Sequence, residues 1–220
     1  MTDKPASLGY RMPAEWEPHS SVWLAWPHNL EYWSEGEIRE LETLYSSMIL
    51  ALAGGETIDL LVNDGDRAKA AAQKLREDNI PLDRVNFHVI PTDDLWIRDY
   101  GPNFLVSEST SEKTAFNQWQ FNAWGGKYAM PRDGRVAATL SAKLGIRTFR
   151  PNLVLEGGAI EVNGKGTCIT TEQCLLNKNR NGGLARAEIE GYLKDYLGVE
   201  KIVWLQGGLE GDDTDGHIDN

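Results

Sequence analysis

Apolar positions recur along this chain in two rhythms, one of short unbroken runs and one spaced three or four residues apart. SVWLAWP, from Ser21 to Pro27, reads as a buried strand. After it Ile38, Leu41, Tyr45, Met48, Ile49 and Leu52 fall at helical spacing, and Gly54-Gly55 supplies the stop. TIDLLVN predicts a strand, DGDRAKAAAQKLREDN a polar-faced helix with acid in its first turn, and VNFHVIP a further strand. WIRDYGPNFLVSE leads into another strand, AFNQWQFN follows as a strand, and RVAATLSAKLG is a short helix. VLEGGAIEVNG and GTCITTEQCLL predict a hairpin turning near Asn163-Gly164. GLARAEIEGYLKDYLG is amphipathic through Ala185, Ile189, Leu193, Tyr196 and Leu197, and KIVWLQGG is the last strand.

Strands and helices alternate, but hairpins interrupt the alternation, which disfavours a purely parallel doubly wound sheet. No low-complexity linker divides the chain. RDYGPNFLV and LEGGAIEV both set an acid just before glycine and then an apolar strand. Residues 1–220 therefore read as one α/β domain of repeated small β/α units.

Composition narrows the partners. The 33 acidic against 22 basic residues give a net charge of −11, which argues against nucleic acid or an anionic membrane surface. No run of about 18 apolar residues predicts a transmembrane helix. The N-terminal MTDKPASLGY lacks the basic and apolar regions of a signal peptide. Cys168 and Cys174 make no disulfide framework, so a reducing cytoplasm is the expected location. Paired glycines suggest strand ends where backbone turns or approaches a ligand. The eight tryptophans, several beside Pro, Asp or Gly, suggest walls for a flat or cationic group.

Three acidic constellations carry the candidate chemistry. In DDLWIRDYGPNFLV, Asp99 could grip a cation and Trp96 could stack on it, or Arg98 and an aspartate could simply pin a turn. In LEGGAIEV, Glu156 sits in an apolar strand, where a carboxylate needs a cation or donor. That partner is either internal, with Arg180 of NKNRN the candidate, or a ligand. In GDDTDGHIDN a calcium loop fails on register, since setting Gly216 as its invariant glycine puts the first ligand position on Gly211. A transition-metal site from Asp213, His217 and Asp219 lacks any spacing signature. Acid–base chemistry suits the segment better, with His217 moving protons and a neighbouring carboxylate raising its pKa. The two cysteines read as buried structural residues.

Taken in order, MPAEWEPHSSVWLAWP, DLWIRDYGPNFLV, NAWGGKY, VLEGGAIEVNGKGT with TEQCLLNKNRN, and GDDTDGHIDN resemble the agmatine deiminase and bacterial peptidylarginine deiminase family. The resemblance implies the pentein fold, a five-fold pseudosymmetric α/β propeller. It implies a hydrolase that converts a guanidinium to a ureido group with release of ammonia, without metal or organic cofactor. Asp99 and Asp219 are then the carboxylates that hold the guanidinium nitrogens, Glu156 the third acidic contact, His217 the general acid and base, and Trp96 a wall of the slot. Asp213 is carried as a further substrate contact. Some family members assemble as homodimers.

The substrate so implied is agmatine, giving N-carbamoylputrescine through a cysteine thiouronium intermediate. Peptidyl-arginine is the rival substrate, and a metal-dependent hydrolase or a noncatalytic cation-binding propeller are the readings from other classes. The family's nucleophilic cysteine lies in a Gly-rich segment further along than Asn220. The expectation is that residues 1–220 cover about the first three blades and are inactive alone, a blade taking roughly 45–70 residues as a small β/α repeat.

Overall fold

A computed structural model describes residues 3–220. Two compact units can be distinguished within the chain. One comprises Pro18–Ile97 and Met130–Val136, the other Met1–Glu17, Arg98–Ala129 and Ala137–Asn220.

The first of these units follows the apolar pattern closely. Strands β1 (Ser21–Ala25), β2 (Thr57–Val62) and β3 (Val85–Val89) form a parallel sheet in sequence order. Two helices, α1 (Glu35–Ala53) and α2 (Gly65–Glu77), make its crossovers. The central strand β2 is buried from Ile58 to Val62, as a parallel strand covered on both faces must be. Helix α1 starts at a capping box: Ser34 accepts from the Glu37 amide, and the Glu37 carboxylate accepts from the Ser34 amide at 2.7 Å. Asp64 caps α2, accepting from the Asp66 and Arg67 amides. Ile38, Tyr45 and Ile49 face the core, whereas Met48 stands 37% exposed at the edge of the helical stripe.

The other unit holds two sheets of one topology. Strand β4 (Asn103–Val106) pairs antiparallel with β5 (Thr114–Asn117), which pairs parallel with β6 (Arg147–Phe149). Strand β7 (Ile160–Val162) pairs antiparallel with β8 (Thr167–Thr171), which pairs parallel with β9 (Lys201–Leu205). Each parallel partner is reached through a helix, α3 (Asp133–Leu144) or α4 (Arg186–Leu197). The mixed sheets explain why alternation alone reads poorly here: a hairpin precedes each crossover. A shared core of Tyr10, Leu105, Leu155, Ile160, Leu175 and Leu193 lies beneath them.

Among the described residues, no helix is long and apolar enough to cross a membrane. Among the same residues the sheets are three-stranded, and none closes into a barrel.

Candidate active site

Three short irregular segments of the second-described unit converge on one acidic point. Asp99 lies in the one-turn helix Ile97–Tyr100 that feeds β4. Glu156 lies just before the turn Gly157–Ala159 that feeds β7. His217 comes from the segment after β9, which is tied down where a free end would fray. The Ile218 amide donates to the Gly158 carbonyl at 3.1 Å, and the Thr171 hydroxyl donates to the Gly216 carbonyl at 2.6 Å. Asp212 closes the segment on itself, accepting from the Gly216 and His217 amides at 3.0 and 2.9 Å.

The His217 ring is 2% exposed and touches three carboxylates. Its Nδ1 is 3.7 Å from Asp99 Oδ1 and 3.8 Å from Asp219 Oδ1, and its Nε2 is 4.0 Å from Glu156 Oε2. Gly158 explains the paired glycines. A Cβ there would stand 2.6 Å from His217 Nδ1, 2.7 Å from Asp219 Oδ2 and 2.8 Å from Asp99 Oδ1, so no larger residue fits among the three. Its neighbour Gly157 lets the Arg98 carbonyl approach where a Cβ would be 2.0 Å away. Arg98 itself makes its ion pairs with Glu15 and Glu161, glutamates in place of the turn-pinning aspartate expected from sequence.

Each buried carboxylate has a fixed donor. Asp99 accepts from Trp124 Nε1 at 2.9 Å and from the Gly158 amide at 2.9 Å. Glu156 accepts from Arg180 Nε at 2.7 Å, with both side chains fully buried. The internal partner weighed from sequence is therefore present. Arg180 also donates to Asp215 at 2.6 Å and to the Thr214 carbonyl at 3.0 Å, joining Glu156 to the segment that presents His217.

Electrostatics sort these groups. Burial raises Asp99 and Glu156 above the ordinary carboxylate range, against the opposing pull of their donors. Asp219 is raised by burial and then by the charge of Asp99. Burial lowers His217 to about 4, overriding Asp219 and Asp212. This corrects the expectation that a neighbouring carboxylate would raise it: desolvation wins, and His217 is a neutral imidazole at neutral pH. Asp215 goes the other way. Burial opposes its charge, but hydrogen bonds from Lys127, Asn179 and Arg180 hold it at about 2.

Asp99, Glu156, His217 and Asp219 thus come together as the motifs suggest. Asp213 is exposed, its carboxylate accepting from Tyr128 and its carbonyl from Lys127. Trp96 belongs to the other unit, where it is 45% exposed and lies 6.5 Å from Trp33 between ring centres. The residues that the motifs leave without a role are Trp124 and Cys174. Trp124 is aimed by four consecutive left-handed residues, Ala123 to Gly126, with φ of 56°, 53°, 84° and 76°. The Gly-Gly of NAWGGKY was the legible trace of that turn. Cys174, capped onto Thr171 at the end of β8, places its Sγ 4.0 Å from Glu156 Oε2. Burial, then Glu156, drives its thiol pKa upward, and burial pushes Cys168 up to about 12. Among the described residues the set with metal-ligand spacing is Glu156, Cys174 and His217, within 4.8 Å of one another, and not Asp213, His217 and Asp219.

Three converging acids, two of them held by fixed donors, around a neutral imidazole suit a planar cation, which offers donors around its edge and an open face. A family model of the Porphyromonas-type peptidyl-arginine deiminases matches residues 11–220. The agmatine deiminase of Pseudomonas aeruginosa (strain LESB58) is 41% identical over the whole of this chain and 59% of its own length. That of Medicago truncatula is 39% identical over the whole of this chain and 60% of its own. Among solved structures, the agmatine deiminase of Enterococcus faecalis superposes with a TM-score of 0.89 at 31% identity, over 99% of this chain and 59% of that one. The agmatine deiminase of C. jejuni gives a TM-score of 0.78 at 26% identity, over 96% of this chain and 60% of that one. The chain spans about three-fifths of the length of the curated relatives it matches.

Proposed function

We propose, from the premise that this chain belongs to the Porphyromonas-type peptidyl-arginine deiminase family, that its acidic site binds agmatine and hydrolyses it to N-carbamoylputrescine and ammonia. The observation that carries the reading is the convergence of Asp99, Glu156 and Asp219 on His217. Asp99 and Asp219 take the guanidinium nitrogens through paired hydrogen bonds, and Glu156 makes the third acidic contact. A cysteine thiolate attacks the central carbon, ammonia departs, and water releases the ureido product from the thiouronium. His217, neutral and buried, is in the form that accepts a proton, which it returns to the leaving nitrogen and then takes from water.

The attacking thiol in this reading is neither Cys168 nor Cys174. Both are buried with their pKa driven up, the reverse of an activated nucleophile. We place it outside residues 1–220. Trp96 as a slot wall and Asp213 as a distal contact belong to the same proposal. So does the fold at large: the three sheets are taken as successive blades of one five-fold α/β propeller, supported by the hairpin-then-crossover order that the second and third share. A cytoplasmic location accords with two free cysteines.

The family description names peptidyl-arginine and the relatives are named for agmatine. The test is ammonia release by the full-length gene product from agmatine, arginine and a peptide ending in arginine. Turnover of agmatine above the others is expected, and preference for the peptide would transfer the reading to its rival. His217→Ala should abolish ammonia release; undiminished turnover would remove His217 from proton transfer.

A further inference from the structure

The geometry points to a metal site that the deiminase reading does not use: Glu156, Cys174 and His217 form a binding site for a zinc-class divalent cation, and its occupancy excludes the guanidinium.

Two independent features carry this. The first is spacing. One carboxylate oxygen, one sulfur and one ring nitrogen lie within 4.8 Å of one another, so a central ion would stand within about 2.8 Å of each. Zinc bonds run about 2.0–2.3 Å to such atoms, a contraction that side-chain torsions can supply. The second is an orphan. His217 Nε2 is buried and has no hydrogen-bond partner among the described residues, yet it faces Glu156 Oε2 at 4.0 Å. A buried imidazole nitrogen with a free lone pair is a ligand in waiting, since the neutral ring is the coordinating form.

The donor set selects the ion. Sulfur, imidazole and one carboxylate suit zinc or cobalt, whereas an all-oxygen preference rules out calcium and magnesium as good fits. Surrounding groups orient the ligands. Arg180 holds Glu156 Oε1 at 2.7 Å and so leaves Oε2 toward the site, while the Thr171 side chain caps the turn that carries Cys174. Asp99 and Asp219 flank His217 Nδ1, the ring nitrogen away from the ion, at 3.7 and 3.8 Å, and their negative charge favours the tautomer that carries its proton there. Binding exchanges the thiol proton of Cys174 for the metal and releases that proton to solvent. Three protein ligands leave a fourth position for water. The binding stands on geometry alone; the exclusion rests on the proposed guanidinium reading, because it takes Glu156 and His217 from the substrate.

The experiment uses the full-length gene product stripped with chelator and titrated with cobalt(II), then with zinc in competition. One cobalt per chain should bind, with tetrahedral d–d bands and a near-ultraviolet thiolate-to-cobalt charge-transfer band. Cys174→Ser should abolish that band and weaken zinc at least about tenfold, since even outer-shell losses cost 10–100-fold. Its circular-dichroism melt reports whether it folds. His217→Gln, with the thiol intact, should weaken zinc similarly and keeps the test open if the serine variant does not fold. A band that survives in Cys174→Ser, or no stoichiometric cobalt in the unsubstituted protein, overturns the site. Agmatine should weaken apparent zinc affinity, and zinc should inhibit unsubstituted protein but not Cys174→Ser. If zinc binds and agmatine turnover is untouched, the exclusion falls while the deiminase reading stands. If zinc binds and the metal-free full-length protein turns over no guanidino compound, the deiminase reading falls and the metal site stands.

Discussion

Arg180 brings a buried positive charge into a point otherwise built of carboxylates, and its removal exposes what it compensates. Its side chain and that of Glu156 are both fully buried, so deleting the cation strands an ionised or expensively protonated acid in the interior. Arg180→Met should cost about 3–5 kcal/mol of stability, as breaking a buried pair from one side does. The double variant with Glu156→Gln should recover part of that, because a neutral amide no longer needs the cation. Urea unfolding of both singles and the double gives the cycle, and strict additivity would deny the coupling. Trp124 acts on Asp99 in a gentler way. Trp124→Phe keeps the ring and removes the 2.9 Å donor, a hydrogen bond to a charged group of about 1.5–3 kcal/mol. We expect kcat/KM for agmatine to fall at least about tenfold on the same reckoning; unchanged kinetics would leave Trp124 a packing residue only.

At the scale of elements, helix α3 and the loop after β3 share an unusual acid. Asp133 is fully buried and accepts from the Asp93 and Asp94 amides, the nearest 2.6 Å away. Burial, with Asp93 and Asp94 as like-charged neighbours, lifts it to about 7. The folded form therefore holds its proton where the unfolded chain, near 3.8, has lost it. Its contribution is present below the unfolded value and is lost as pH rises from about 4 to about 7. His217 has the opposite sign, depressed to about 4, so its contribution is lost as pH falls over much of the same window. A single stability curve would mix the two. The difference between the unsubstituted protein and Asp133→Asn isolates Asp133, since Asn mimics the protonated acid. That difference should move in favour of the Asn variant as pH rises toward 7, and a pH-independent difference would contradict the buried-proton account.

Elements with a long apolar period were legible from sequence, as with α1, β2 and α4. Strand β6 was not, because Arg147–Phe149 is three residues opening on a charge and gains its identity only by pairing with β5. Among the site residues, Asp99, Glu156, His217 and Asp219 were readable because each stands in a motif. Cys174 was not, because its neighbours in space, Glu156 and His217, are 18 and 43 positions away.

Across the whole molecule, a net charge of −11 accompanies a site whose acids resist ionisation, and the two have different consequences for a cation. The dispersed surface charge speeds encounter and is screened by salt. The site acids decide whether the cation stays: the Asp99 and Glu156 side chains are largely buried and screened little, whereas Asp219 is more open to solvent. Asp99, Glu156 and Asp219 are all raised, chiefly by burial, so they take up protons at a pH above the ordinary carboxylate range. On the proposed reading, each proton taken removes a negative charge that a bound guanidinium needs, so affinity should fall as pH falls, about tenfold per pH unit for each acid below its own pKa. His217 does not rescue binding, because it stays neutral until about 4. Calorimetric titration of agmatine into the full-length protein, from about pH 8 to about pH 5 at constant ionic strength, should show affinity declining before ordinary carboxylates titrate. Raising salt at neutral pH should weaken binding far less than this acid loss does. Affinity that held level down to the ordinary range would mean the three acids are already ionised in the free site, and would take burial away as the force that shapes it.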